Sequence, residues 1–169
     1  MRDKLKWIVF VAAVTLIQFA YIYAFFIEPN WINVERIRIV DPKLAKVLSG
    51  IKIIQISDLH LEALGFKEIS LIEKINRIKP DLIFVTGDMV ETQQGVPVLW
   101  SILNLLEPKI RTYIVHGESD SVALELKDSQ SWDKSKTTLL DNKAIRMDIK
   151  NGQDTAFWLL GAYSAEELN

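Results

Sequence analysis

The chain contains no cysteine, which excludes disulfides, thiolate-held zinc, iron–sulfur clusters and thiol nucleophiles and leaves the redox compartment undecided. Histidine is almost as scarce. His60 and His116 are the only two, so any metal site must lean on carboxylates or be incomplete. Seven Gly and five Pro, beside 49% hydrophobic content, exclude a disordered or collagen-like chain. No strong excess of either charge is present: the formal net charge is −2, and no nucleic-acid partner is expected. Internal repeats and low-complexity segments are missing as well. A length of 169 residues allows one domain with an appendage and excludes a large multidomain enzyme.

What is present first is a long apolar run. Trp7 to Ile27 is 21 residues without a charge, in which only Thr15 and Gln18 are neither apolar nor aromatic. As a helix this run spans roughly 31 Å, close to the hydrocarbon thickness of a bilayer. A signal peptide would carry a shorter apolar core and a small-x-small cleavage site. Here Ala24 is preceded two positions earlier by Ile22, and Ala20 by Gln18. The reading is therefore an uncleaved, single-pass anchor over 1–27 with membrane lipid as its partner, followed by a lead-in over 28–49. Arg2, Lys4 and Lys6 precede the run, which favours a cytoplasmic N-terminus and a domain on the external or periplasmic side. Beyond residue 27 there are 17 bases and 21 acids, a balance of −4 that does not indicate strong adhesion to lipid headgroups.

The remainder, 50–169, reads as α/β. Val34–Ile39 alternates as a strand, and Ile51–Ile56 is a β-branched strand ending at Ser57-Asp58-Leu59-His60. Ile69, Ile72, Ile75 and Ile78 recur at helical spacing before Pro80. Asp81–Thr86 is a nearly continuous apolar strand running into Gly87-Asp88, as expected where both faces are covered. A helix over 97–107 and a strand over 113–116 follow, and this alternation predicts parallel strands with right-handed crossovers. Further on, 137–140, 144–149 and 156–161 read as short strands, with turn signals at Asn142 and Asn151-Gly152.

In open α/β sheets, ligands bind at the carboxyl ends of strands. Three successive strands here end at Asp58-Leu59-His60, Gly87-Asp88 and Gly117-Glu118-Ser119-Asp120. An imidazole and two carboxylates of this kind suit Mn, Fe or Zn, and two such ions could activate a water against a phosphoester. Each fragment alone is weak, since an Asp at a strand end is commonly a cap or turn former. Their recurrence about every 30 residues, the length of one βα unit, is what carries weight.

In IKIIQISDLHL, KPDLIFVTGDMVE and GESD, over about 50–165, the chain resembles the calcineurin-like metallophosphoesterases. The anchor and IEPNWINVERIRI resemble the membrane-tethered bacterial branch, which acts on phosphodiesters and sometimes on lipid precursors. The resemblance implies a four-layer α/β/β/α sandwich with a dinuclear centre at one sheet edge. It makes Asp58 and His60 ligands of a first metal and Asp88 the carboxylate bridging two. The third segment departs from the family's Gly-Asn-His-Asp/Glu. Glu118 stands at the Asn position, where it could ligate with altered geometry. Ser119 stands at the His position and cannot act as a general acid near neutral pH. His116, three positions before Ser119, reads as a structural histidine, and Glu91 and Asp120 as solvated loop carboxylates. No histidine follows His116, although the family supplies later ones.

The expectation is thus an anchored domain carrying the first part of this sandwich, with one weak metal site. Three functions stay open: a metal-dependent phosphoester hydrolase that is impaired in this isolated chain, a non-catalytic binding or scaffold module, and a decayed remnant. Strand faces such as Phe157–Leu160 would need a covering layer or a protein partner.

Overall fold

The computed structural model describes residues 2–28, 31–120, 136–150 and 154–162. It divides the chain into two units, 1–35 and 36–169. The first is dominated by helix α1, Arg2–Ile22, continued by a wider π-helical turn over Tyr23–Ile27. Among the described residues this is the one helix long and apolar enough to cross a membrane, and none of its apolar window is buried. Nothing in its sequence separates a polar from an apolar face, as expected of a helix that meets apolar surroundings on all sides.

The strand expected over Val34–Ile39 is not formed: residues 31–41 carry no strand, and Ile37, Ile39 and Val40 are exposed. Alternation supplied a strand-like pattern, but a strand also needs a ladder partner, and none pairs with this segment among the described residues. Helix α2, Pro42–Leu48, follows. It starts where Asp41 accepts from the backbone N–H of Lys43 and Leu44 at 2.7 and 2.8 Å, with Pro42 in the first turn.

The core is a four-stranded parallel sheet in the order β1-β2-β3-β4: Ile53–Ile56, Leu82–Thr86, Arg111–Val115 and Thr137–Leu139. Helix α3, Phe66–Ile78, and helix α4, Val96–Leu105, are the crossovers. Strand β4 thus extends the parallel sheet, whereas its sequence alone suggested only a short tail strand. Strand alternation sorts the two faces. Ile83, Val85 and Ile114 pack with Ile72 and Ile75 of α3 and with Leu99, Ile102 and Leu103 of α4. Leu82, Phe84, Tyr113 and Val115 face the opposite way. There they meet an antiparallel pair, β5 (Lys143–Lys150) and β6 (Asp154–Gly161), through Ile145, Met147, Ile149, Phe157 and Leu159. The described residues therefore build helix, parallel sheet and antiparallel ribbon as successive layers. This is a mixed α/β fold, consistent with part of a metallophosphoesterase sandwich. The turn signal at Asn151-Gly152 lies outside the described residues. On the ribbon's outer face Trp158 and Leu160 are 64% and 73% exposed.

The amino ends of the strands are tied by Asp81. Its carboxylate accepts the backbone N–H of Lys52 at 2.8 Å and pairs with Lys109 Nζ at 2.8 Å. Burial opposes the charge on Asp81, but the Lys109 and Lys52 contacts outweigh it and hold the carboxyl below its ordinary range. This end of the sheet is fastened, and the carboxyl ends carry the loops.

Candidate functional site

Strands β1 and β2 stop pairing regularly at Ile56 and Val85–Thr86, yet their continuations stay together. The N–H of Asp58 donates to the carbonyl of Gly87, that of His60 to Asp88, and that of Leu61 to Met89. A parallel bridge between Leu61 and Val90 then resumes the ladder. Within this stretch four residues are left-handed: Asp58 (φ 55°), His60 (φ 46°), Gly87 (φ 90°) and Asp88 (φ 54°). Asp and His enter this region more readily than most residues, but each such non-glycine residue still costs on the order of 1 kcal/mol or more. Three of the four sequence-selected site residues are therefore held in uncommon backbone conformations on two adjoining loops.

The third loop, 116–120, closes over the second. Ser119 donates both its hydroxyl (2.7 Å) and its backbone N–H (3.1 Å) to Asp88 Oδ1. The Ser119 hydroxyl, then its N–H and the nearby His60, hold the Asp88 carboxyl below its ordinary range against partial desolvation. Asp120 is fully buried. Its Oδ1 accepts the backbone N–H of Met89 and of Val90, both at 2.8 Å, and its Oδ2 accepts that of Gly117 at 2.9 Å. The reading of Asp120 as a solvated loop residue is thus overturned: the buried N–H groups of Met89 and Val90 and the half-buried one of Gly117 need an acceptor, and this carboxylate supplies it. Glu91 is exposed as expected, but it is not idle, since it pairs with His60 Nδ1 at 2.8 Å. That contact leaves Nε2 as the His60 atom for a ligand. His116 meets Asp141 twice, donating through its backbone N–H (2.9 Å) and its Nδ1. Its side chain is 8% exposed, in keeping with a structural histidine. Neither contact was legible in the sequence, because both depend on the path of the loop after β4.

Asp58 and His60 are exposed, Asp88 is half-buried, and Glu118 is exposed on the third loop. Two carboxylates and an imidazole are donors of the kind that a borderline divalent ion takes. Their placement does not make its cage: among the described residues no three His, Asp or Glu side chains lie close enough together to hold one ion. One oxygen of Asp88 is already committed to Ser119. The residues as arranged therefore do not fit a dinuclear centre.

Three depressed carboxyls, Asp81, Asp88 and Asp141, set an acid limb of stability. For Asp141, burial opposes the charge and the contacts with His116 outweigh it. A group whose folded pKa lies below its unfolded value of about 3.9 contributes fully above that value and loses its contribution as pH falls through the folded one. The urea midpoint of the protein should hold steady from pH 7 to about 5 and fall below about pH 4. Asp141→Asn should flatten that fall, and an unchanged acid limb would remove Asp141 from the account.

Comparison with known proteins agrees with this architecture. The UDP-2,3-diacylglucosamine pyrophosphatase LpxG of Chlamydia trachomatis is 38% identical over 74 residues, 41% of this chain and 22% of that protein. The uncharacterized metallophosphoesterase YkuE of Bacillus subtilis is 30% identical over 105 residues, 59% of this chain and 37% of that protein. The alignments thus reach from about a fifth to under two fifths of these relatives' own lengths. The family described as Calcineurin-like phosphoesterase matches residues 51–162. That match takes in all four parallel strands and the three loops at their carboxyl ends, and the chain belongs to the calcineurin-like phosphoesterase family.

Proposed function

We propose that the chain is the phosphoester-hydrolysing part of a membrane-anchored protein, with a centre that is impaired in this chain alone. The observation that carries the proposal is the set of left-handed residues Asp58, His60 and Asp88 on adjoining loops. Strain of this kind persists where surrounding structure enforces it, and it clusters at active sites. Calcineurin-like phosphoesterases generally use divalent metals; Asp58, His60, Asp88 and Glu118 carry matching donor types, although as arranged they do not close around one ion. The substrate class follows from the anchor and the chlamydial relative, whose name specifies a diacylated UDP-sugar pyrophosphate. A helix with an unburied apolar surface would tether the chain to a bilayer, in which an amphiphile bearing a phosphoester or phosphoanhydride is concentrated. The charges before the helix favour the external face.

Impairment follows from the third loop. Ser119 offers no imidazole to protonate a leaving oxygen, and general acid catalysis contributes typically 10²–10⁴-fold. The full chain in detergent with Mn²⁺ is expected to hydrolyse an aryl phosphodiester slowly, and Asp88→Ala to lose what there is. Equal rates for the two proteins would remove the enzyme reading. The second reading, a non-catalytic module, draws on the Asp120 contacts, by which the third loop is fastened to the second through the chain's own groups. Its partner surface would be the outer face of β6 at Trp158 and Leu160.

A further inference from the structure

We infer that residues 36–48, which lead into the first strand of the sheet, are a docking surface for an anionic lipid bilayer. The inference rests on the reading of α1 as a membrane span and goes beyond it by giving the domain a second, reversible membrane contact of its own.

An interfacial contact needs apolar side chains that enter the headgroup region and cations that meet phosphates. Ile37, Ile39 and Val40 are 79%, 73% and 86% exposed, and Leu44 of α2 is exposed as well. Arg36, Arg38, Lys43 and Lys46 are exposed among them. Long basic side chains lay an apolar stem along such a surface and carry the charge out to the phosphates. Asp41 is the one acid of the segment, and its carboxylate is engaged in capping α2. The segment thus stands at +3. Beyond residue 27 the chain as a whole is at −4, so what remains there, 13 bases against 20 acids, is at −7. An anionic surface attracts this segment and repels the remainder, and the charge pattern therefore selects both the occupant and the face that meets it. Covalent reach supplies the opportunity: Arg36 follows Ile27, where the helical run ends, by nine residues, which span at most about 30 Å. Trp31, within that link, is exposed, and an indole ring settles at a headgroup boundary. Leu48 and Ile51 pack against the core between sheet and ribbon, so a contact made by the segment is passed to the domain.

The absence of cysteine makes any introduced thiol unique, which suits the test. The full chain is placed in lipid nanodiscs with a nitrobenzoxadiazole label on Ile39→Cys, and quenching by a shallow spin-labelled lipid is read. Discs rich in phosphatidylglycerol are compared with discs of phosphatidylcholine alone, so that the label's own apolarity is common to both. Quenching is expected in the anionic discs and little in the others. It should fade as salt rises from about 0.1 M to 1 M and the Debye length shrinks from about 10 Å to 3 Å. Each base near an anionic surface is worth about fivefold, so Arg36→Gln with Arg38→Gln should lower the ratio of docked to undocked label about 20-fold. Both arginines are exposed and lie outside α2, and unchanged thermal unfolding shows that the pair of substitutions leaves the fold intact. A label on Val14→Cys, inside α1, reports on the anchor. Quenching at Val14 without quenching at Ile39 would overturn the docking and leave the anchor standing; no quenching at Val14 would overturn both. Quenching at Ile39 that is equal in the two discs and indifferent to the arginines would overturn the charge-selected contact. Shielding of the Ile39 label only in discs holding two copies would assign the surface to a second chain and overturn the bilayer as its occupant.

Discussion

Asp120→Ala should destabilise the domain by about 4 kcal/mol, since it strips the acceptor from two buried N–H groups and a half-buried one at once. Hydrogen bonds to a charged group are worth about 1.5–3 kcal/mol each, and unsatisfied buried donors add a desolvation penalty. They share one acceptor, so the sum is not additive, and a figure below the three-bond total is expected. Against a typical total stability of 5–15 kcal/mol, this is a large fraction. Asp120→Asn separates the two oxygens. Its carbonyl can still serve Met89 and Val90, but its amide then faces the N–H of Gly117, donor against donor. The Asn variant should therefore fall between wild type and Ala. Urea unfolding gives the ranking, and hydrogen exchange of the Met89 and Val90 amides locates it. A loss under 1 kcal/mol in Asp120→Ala, with those amides still protected, would show that water or a neighbouring carbonyl replaces the carboxylate.

The same residue marks where sequence reading stops. Strands β1 to β3 were legible because each is a β-branched or apolar run, and their ends fall within about two residues of the expected positions; β2 and β3 are largely covered on both faces, whereas β1 leaves Ile53 and Gln55 exposed. Helix α3 was legible from four isoleucines at helical spacing, of which Ile72 and Ile75 are buried. Asp58, His60 and Asp88 could be selected because a parallel sheet brings successive strand ends side by side, whatever the loops do. The loops were not legible. Whether Asp120 turns inward depends on the N–H groups of Met89 and Val90, just past the left-handed stretch at 87–88, and on that of Gly117 in its own loop, and composition carries no trace of that. The contact of Ser119 with Asp88 depends in turn on Asp120 fixing the loop. Segment 31–41 failed in the other direction. Its alternation is as good as that of many strands, but local pattern does not specify a ladder partner, and Ile37 and Ile39 are exposed.

Gly117→Ala is expected to cost about 3 kcal/mol, at the upper end of what overpacking a dense site does. The reason is steric and not conformational, since Gly117 is not among the left-handed glycines. An added Cβ would stand 2.3 Å from the backbone N of Asp88 and 2.8 Å from its Cγ. Neither atom can retreat: the carbonyl of Asp88 accepts from His60, and its carboxylate from Ser119. The loop must therefore lift away, breaking the Ser119 and Asp120 contacts that bind it to the second loop. Gly50→Ala supplies the contrast. Gly50 is left-handed (φ 78°), but a Cβ there meets nothing within 4 Å. Its cost is the intrinsic penalty of that conformation, roughly 1 kcal/mol, with no effect on the loops. Because Gly117 and Asp120 act on one contact, Gly117→Ala combined with Asp120→Ala should destabilise by clearly less than the sum of the two changes. Urea midpoints of the single and double variants measure that difference. Additivity within about 0.5 kcal/mol would mean that the two residues hold the loop independently, and that the third loop is not one body.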